Sequence, residues 1–102
     1  MDLNQEPTCI VDENGTQEWR VNGRLHRLDG PACIRADGIQ QWLVNDQLHR
    51  TDGPAVIRAD GTQQWCVDGN FITRQVQAWI AVQNVSWPWD DDTQIQFLLT
   101  WT

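Results

Sequence analysis

Lysine and tyrosine are missing from the 102 residues, and methionine occurs once. All positive side-chain charge therefore rests on seven arginines, set against fourteen carboxylates for a formal net charge of −7. That balance excludes a binder of phosphate backbones, which needs clustered positive charge, and disfavours anionic membrane surfaces. It suits a soluble chain or one whose partner is basic, such as a nucleic-acid-binding protein. No apolar run approaches the roughly 20 residues of a membrane span, and Met1 to Pro7 is polar and acidic, unlike a secretory leader, so the expected compartment is the cytoplasm. No Cys-x-x-Cys pair, His-Glu-x-x-His, phosphate loop or Gly-x-Ser-x-Gly occurs. The expectation is accordingly no enzyme, no catalytic residue, no metal and no cofactor.

What is present is self-similarity. The stretch Trp19 to Pro31, WRVNGRLHRLDGP, returns as Trp42 to Pro54, WLVNDQLHRTDGP, and Trp65 with Val67 and Phe71 continues the columns at the same offset of 23 residues. A second block precedes each Trp: Cys9-Ile10-Val11, then Ala32-Cys33-Ile34-Arg35-Ala36-Asp37-Gly38, then Ala55-Val56-Ile57-Arg58-Ala59-Asp60-Gly61. Asn-Gly and Asp-Gly between β-branched runs signal hairpins, because such turns need positive φ. The extra residue within Asp12 to Gly15 falls in a turn, where added backbone is tolerated. By the two-residue period of a strand, Trp42 and Val44 share one face and Gln41 and Leu43 the other. The Trp–Val face is expected to be the core. The opposite face, with Glu18, Gln41 and Gln64 and with Arg20, Leu43 and Cys66, is expected to meet water or a partner.

These repeated residues resemble the MORN repeat, and most of all a variant with Asp-Gly-Pro-Ala after the His-Arg pair that occurs in small bacterial and phage proteins. The likeness covers residues 8 to 72. It implies a mainly β fold of stacked antiparallel hairpins in a meander, with copies at 8–30, 31–53 and 54–72 after a leader at 1–7. Terminal repeats are atypical caps, and the third copy loses the His-Arg and Asp-Gly-Pro-Ala blocks, so residues 73–102 read as a C-terminal cap. Val76, Trp79, Ile80 and Gln83 have helical spacing and Thr73 can serve as an N-cap, predicting a helix over 73–84. Ile95, Phe97, Leu99 and Trp101 alternate with more polar residues, predicting a terminal strand over 94–101; a helix with Ile95, Leu98 and Leu99 on one side is the alternative. Cys9 and Cys33 share a column held by Val56 in the third copy and read as small apolar fillers. Equivalent strands two spacings apart, roughly 9.6 Å, exceed disulfide reach, so all three thiols are expected reduced.

Two sets of residues carry chemistry. His26 and His49, followed by Arg and then by Asp29 and Asp52, could mark a metal or acid–base site. Their equivalence in adjacent copies keeps them too far apart to share an ion, so with Trp19, Trp42 and Trp65 they are assigned structural roles. Trp87-Pro88-Trp89-Asp90-Asp91-Asp92 joins two indoles through a stiff proline, and aromatic residues are favoured interface anchors; the competing reading packs the indoles on the sheet and leaves a solvated Asp turn. Partner-binding candidates are Trp87, Trp89, Asp90, Asp91 and Asp92, with the polar columns Arg35, Arg58, Gln41 and Gln64. The expected function is a non-enzymatic protein-binding module, with a phage-type inhibitor of a host defence protein, anti-CRISPR-like, as the special case the resemblance implies. The alternative is a structural repeat that forms a homodimer through the edge strand Thr8 to Val11.

Overall fold

A computed structural model describes residues 6–102; Met1 to Gln5, most of the expected leader, lie outside the described residues. The strands are β1 (Thr8–Val11), β2 (Gln17–Val21), β3 (Arg24–Leu25), β4 (Cys33–Ile34), β5 (Gln40–Gln41), β6 (Leu43–Val44), β7 (Gln47–Leu48), β8 (Val56–Ile57), β9 (Gln63–Gln64), β10 (Cys66–Val67) and β11 (Asn70–Phe71). Helices α1 (Thr73–Gln83) and α2 (Asp91–Trp101) follow. The chain is thus mainly β, built of antiparallel hairpins and closed by two C-terminal helices.

One sheet runs in the order β1-β2-β4-β5-β8-β9, with β3 branching from β2, while β6-β7 and β10-β11 are separate hairpins. The Trp-centred runs explain the division. In the first copy β2 passes unbroken through Trp19, whereas in the second and third the strand stops at Trp42 and Trp65 and the chain turns into a small hairpin. Asn22-Gly23, Asn45-Asp46 and Asp68-Gly69 close these small hairpins, both residues of each pair having positive φ. That is the mirror-image turn whose twist matches antiparallel strands. Asp46, at φ 69°, is the one non-glycine in the second turn position. It is held by a two-way link to the preceding hairpin: its N–H donates to Leu25 O at 2.9 Å, and its Oδ1 accepts from Leu25 N at 2.7 Å. The small hairpins join in series through Arg27 N to Leu43 O and Arg50 N to Cys66 O, at 3.1 and 3.0 Å.

This bend corrects the expected single core face. Leu43 and Cys66, placed by alternation on a solvent or partner face, are buried, because at each break the chain folds the small hairpin back over the sheet. Ala32, Cys33 and Leu43 form one cluster, packed by Leu25 and Leu48. The second cluster, Trp65, Val67, Val76 and Phe97, is closed by aromatic side chains of the cap. The Trp–Val column is fully buried only in the third copy, since Trp19, Val21, Trp42 and Val44 remain half-exposed. Cys9 is also no filler: it lies exposed on β1, while Cys33 and Cys66 are buried, all three as free thiols.

The cap departs from expectation at its end. Residues expected as a strand over 94–101 form α2, with Asp90 as N-cap accepting from Thr93 N at 2.8 Å and Asp91 and Asp92 in its first turn. Carboxylates there complement the helix dipole. The apparent alternation was two helical faces seen at once. Phe97 and Trp101, four apart, turn inward, while Ile95 and Leu99, also four apart, are 54% and 81% exposed. The helix α1 falls where expected and ends on Asn84 in the left-handed region. Its N-cap position is Ile72 and not Thr73. The Thr73 hydroxyl instead accepts from Trp65 N at 3.0 Å.

Burial therefore ranks the three repeat tryptophans. Trp65→Ala, at 3% exposure, should cost about 3 to 5 kcal/mol, and Trp19→Ala and Trp42→Ala less. Urea melts of the three variants check it, and a Trp42→Ala loss exceeding that of Trp65→Ala would contradict the cap's role.

Candidate functional site

The repeated His-Arg-x-Asp-Gly-Pro block makes the same construction twice. Arg27 lays its guanidinium 4.1 Å from the centre of the Trp19 ring, and Arg50 lies 4.0 Å from that of Trp42. From that position Arg27 donates through Nε to Asp29 Oδ1 at 3.1 Å and through Nη1 to Pro31 O at 3.2 Å. Arg50 does the same to Asp52 Oδ1 at 2.7 Å and to Pro54 O at 3.0 Å. A planar, five-donor fork can stack on an indole and bind a loop at once, which an ammonium cannot. The glycine of each loop leaves room for this approach: a Cβ on Gly30 would meet Arg27 Cζ at 2.9 Å, and one on Gly53 would meet Trp87 Nε1 at 2.6 Å and Arg50 Cζ at 2.8 Å.

The histidines link one copy to the next. His26 Nδ1 accepts from Asn45 N at 3.2 Å, and His49 Nδ1 accepts from Asp68 N at 2.9 Å. Among the described residues no group of three His, Cys, Asp or Glu is placed to hold a metal ion. Burial raises the Cys33 thiol above its ordinary value and pushes Cys66 up to about 11. Neither is poised as a thiolate nucleophile.

The tail candidates are absorbed into the cap. Trp87 donates its indole N–H to Asp52 O at 2.9 Å and lies 5.3 Å from the Arg50 guanidinium. Trp89 packs edge-on against Trp79, ring centres 5.4 Å apart, and against Phe97 at 4.8 Å. Asp90 caps α2, and Thr93, through its hydroxyl and its backbone N–H, holds the Asp90 carboxyl below its ordinary value. Asp91 and Asp92 remain exposed in the first turn. Gln94, not singled out in the sequence, donates its side-chain amide to Thr51 O. The only sequence signal for it is its place one helical turn before Phe97.

The polar columns divide between two places. Gln41 and Gln64 pair with Cys33 and Val56 across the sheet, so they share the face that the small hairpins cover, and both are half-buried. Arg35 and Arg58 stand exposed at the Asp-Gly turns. Register places another row on the opposite, outer face: Val11, Gln17, Ile34, Gln40, Ile57 and Gln63 across six strands. None of the six is charged, and none is buried. A groove of about 510 Å³ also opens between the two Asp-Gly-Pro loops, over Trp42, Val44 and His49.

Two outcomes follow. Arg50→Lys should destabilise more than Arg27→Lys, by about 2 kcal/mol against about 1, since Arg50 stacks near two indoles and desolvated cation–π contacts are the stronger ones; urea melts check it, and equal losses would contradict it. The depressed Asp90 carboxyl is a stability contribution present above its ordinary value of 3.8 and lost as pH falls through the lower folded value. Acid titration of cap tryptophan fluorescence should therefore show a transition below pH 3.8 that Asp90→Asn removes. Comparison with protein families, curated proteins and solved structures finds no match.

Proposed function

We propose that the chain is a non-enzymatic protein-binding module that docks through the outer sheet face. The observation that carries this reading is the uncharged row Val11-Gln17-Ile34-Gln40-Ile57-Gln63, in a chain where 21% of residues are charged. Depletion of charge at the centre of a patch, with charged residues at its rim, is what distinguishes interface cores from ordinary surface. Arg35, Arg58, Asp37 and Asp60 at the exposed turns supply such a rim. Alternating amide and aliphatic side chains add hydrogen bonding to apolar contact, and antiparallel pairing holds them in fixed rows.

The hairpins stack, on this reading, as the MORN-like meander expected from the repeat, a stiff scaffold that loses little entropy on binding. A small, acidic, repeat-built binder of this kind fits a phage-type inhibitor of a basic or nucleic-acid-binding host defence protein, anti-CRISPR-like in its mode of action. That special case rests on size, charge and the resemblance of the repeat.

A second reading has its own observation. Strand β1 is exposed along its length, with Ile10 at 50% and Val11 at 61%, and among the described residues it pairs only with β2. An open edge of this kind recruits another strand, here from a second copy in a homodimer.

Capture on the immobilised full chain, with Gln40→Glu/Gln63→Glu as the altered form, decides between them. Wild type should retain a protein that the double variant loses at unchanged melting temperature. Equal retention would sink docking through the outer face. Light scattering that reports a dimer for wild type and a monomer for Ile10→Lys, with no protein retained, would favour the edge strand.

A further inference from the structure

The cap shows what the repeat loops recognise. Residues 87 to 101 sit on the Thr51–Pro54 loop in a defined way: the Trp87 indole lies against Gly53 and donates to Asp52 O, Gln94 donates to Thr51 O, and Phe97 covers Trp65 and Val67. One repeat upstream the corresponding surface has no aromatic cover, and only the Arg50 guanidinium stacks there, 4.0 Å from the centre of the Trp42 ring. The loop Leu28–Pro31 corresponds residue for residue to Thr51–Pro54, and Trp42 and Val44 correspond to Trp65 and Val67. There the floor stays half-exposed, Leu28 is 79% exposed, and the space above is the open groove of about 510 Å³.

Two Arg–Asp ion pairs line this groove, and in each the carboxylate is the more exposed member. Arg27 and Arg50 turn inward over their indoles, their side chains 24% and 14% exposed, while their partners Asp29 and Asp52 face out at 87% and 70%. Outward carboxylates on both loops, in a chain of net charge −7, complement a cation. We propose that this groove is a docking site for a cationic segment of a protein partner, one that presents an aromatic side chain flanked by Lys or Arg. The inference deepens the protein-binding reading and rests on it. The aromatic ring packs on the exposed part of Trp42 and Val44, beside the stacked Arg50, a donor on it reaches the Asp29 carbonyl as Trp87 reaches that of Asp52, and the flanking cations meet Asp29 and Asp52.

The test is a titration of the isotope-labelled full chain, followed by NMR, with the peptide Gly-Lys-Trp-Lys-Gly and its counterparts Gly-Glu-Trp-Glu-Gly and Gly-Lys-Ala-Lys-Gly. The Lys-Trp-Lys peptide should give saturable shifts at the Trp42 indole N–H and at the Val44 and His49 amides. Both counterparts should bind roughly ten-fold more weakly or worse, the Glu peptide since like charges facing across a contact oppose binding and the Ala peptide since it lacks the aromatic anchor. Thr51→Arg, which places a cation and bulk at the rim, should weaken the first peptide similarly; should that variant fail to fold, the three peptides on wild type decide alone. Absence of saturable shifts, equal binding of the Glu-flanked peptide, shifts confined to the outer sheet row, or groove shifts that appear with protein concentration alone, as for a second copy, would each overturn the proposal. A protein captured through the outer row with a silent groove overturns this inference and leaves the protein-binding reading standing, whereas groove binding by the peptide with no protein captured supports the groove and counts against that reading.

Discussion

The stack of an arginine on the tryptophan of its own repeat is the contact on which the other repeated features depend. Without Arg27 over Trp19 and Arg50 over Trp42, the loops that end the first two copies would have no internal anchor. Their carbonyls at Pro31 and Pro54 would lose the donors that hold them. Those loops lead straight into β4 and β8, and the adjoining residues carry the bonds between copies: Trp19 N donates to Ala32 O at 2.8 Å and Trp42 N to Ala55 O at 2.7 Å. A cation–π contact is worth about 0.5 to 2 kcal/mol. Its larger effect is to set where the next copy begins. Lysine at either position could supply the charge but neither the plane nor the fork.

Ending such a stack leaves backbone groups without the neighbour that would have satisfied them, and a buried unpaired N–H costs about 1 to 3 kcal/mol. Trp65 N has no following Ala carbonyl, because no third Asp-Gly-Pro-Ala block exists. Thr73 Oγ1 takes that role, which is why the residue that looks like a helix N-cap is turned away from the helix. The carbonyls of Thr51 and Asp52 face the same end and are met by Gln94 and Trp87. Thr73 thus reproduces the acceptor that a further copy would have supplied to Trp65 N, Trp87 and Gln94 add bonds of the cap's own, and the cap seals the last Trp–Val pair with aromatic area. Trp79, Trp89, Phe97 and Trp101, in ring contacts of 4.8 to 6.0 Å, do so with more buried surface per residue than aliphatic side chains offer.

The hairpins, the turns and α1 were legible because each is a local decision: a positive-φ pair closes a hairpin, and helical spacing makes a helix. What escaped were consequences of long-range geometry. Alternation through Gln41, Trp42, Leu43 and Val44 assumes one straight strand, so it could not show that the chain bends at Trp42 and buries Leu43 on a second surface. The tail misled for another reason. Ile95, Phe97, Leu99 and Trp101 satisfy period two and, in pairs, period four, and the deciding feature was the Asp90 cap with two further acids behind it, chemistry that had been weighed as a binding motif. Of the candidate site, the structural use of Trp, Arg and Asp followed the repeat. The outer row did not stand out, because Val11, Gln17, Ile34, Gln40, Ile57 and Gln63 become a surface only once the strand register is known.

The division of labour among residue types narrows where function can reside. His26, His49, Arg27, Arg50 and Asp46 are each engaged in holding one copy to itself or to the next, and a side chain so committed cannot change partners without loosening those links. The groups left over are the amide and aliphatic row on the outer sheet, the exposed turn charges, and the Trp–Val floor that the cap leaves uncovered in the earlier copies. The outer row is a broad surface without titratable groups, and the floor lies in a groove whose rim carries the loop carboxylates.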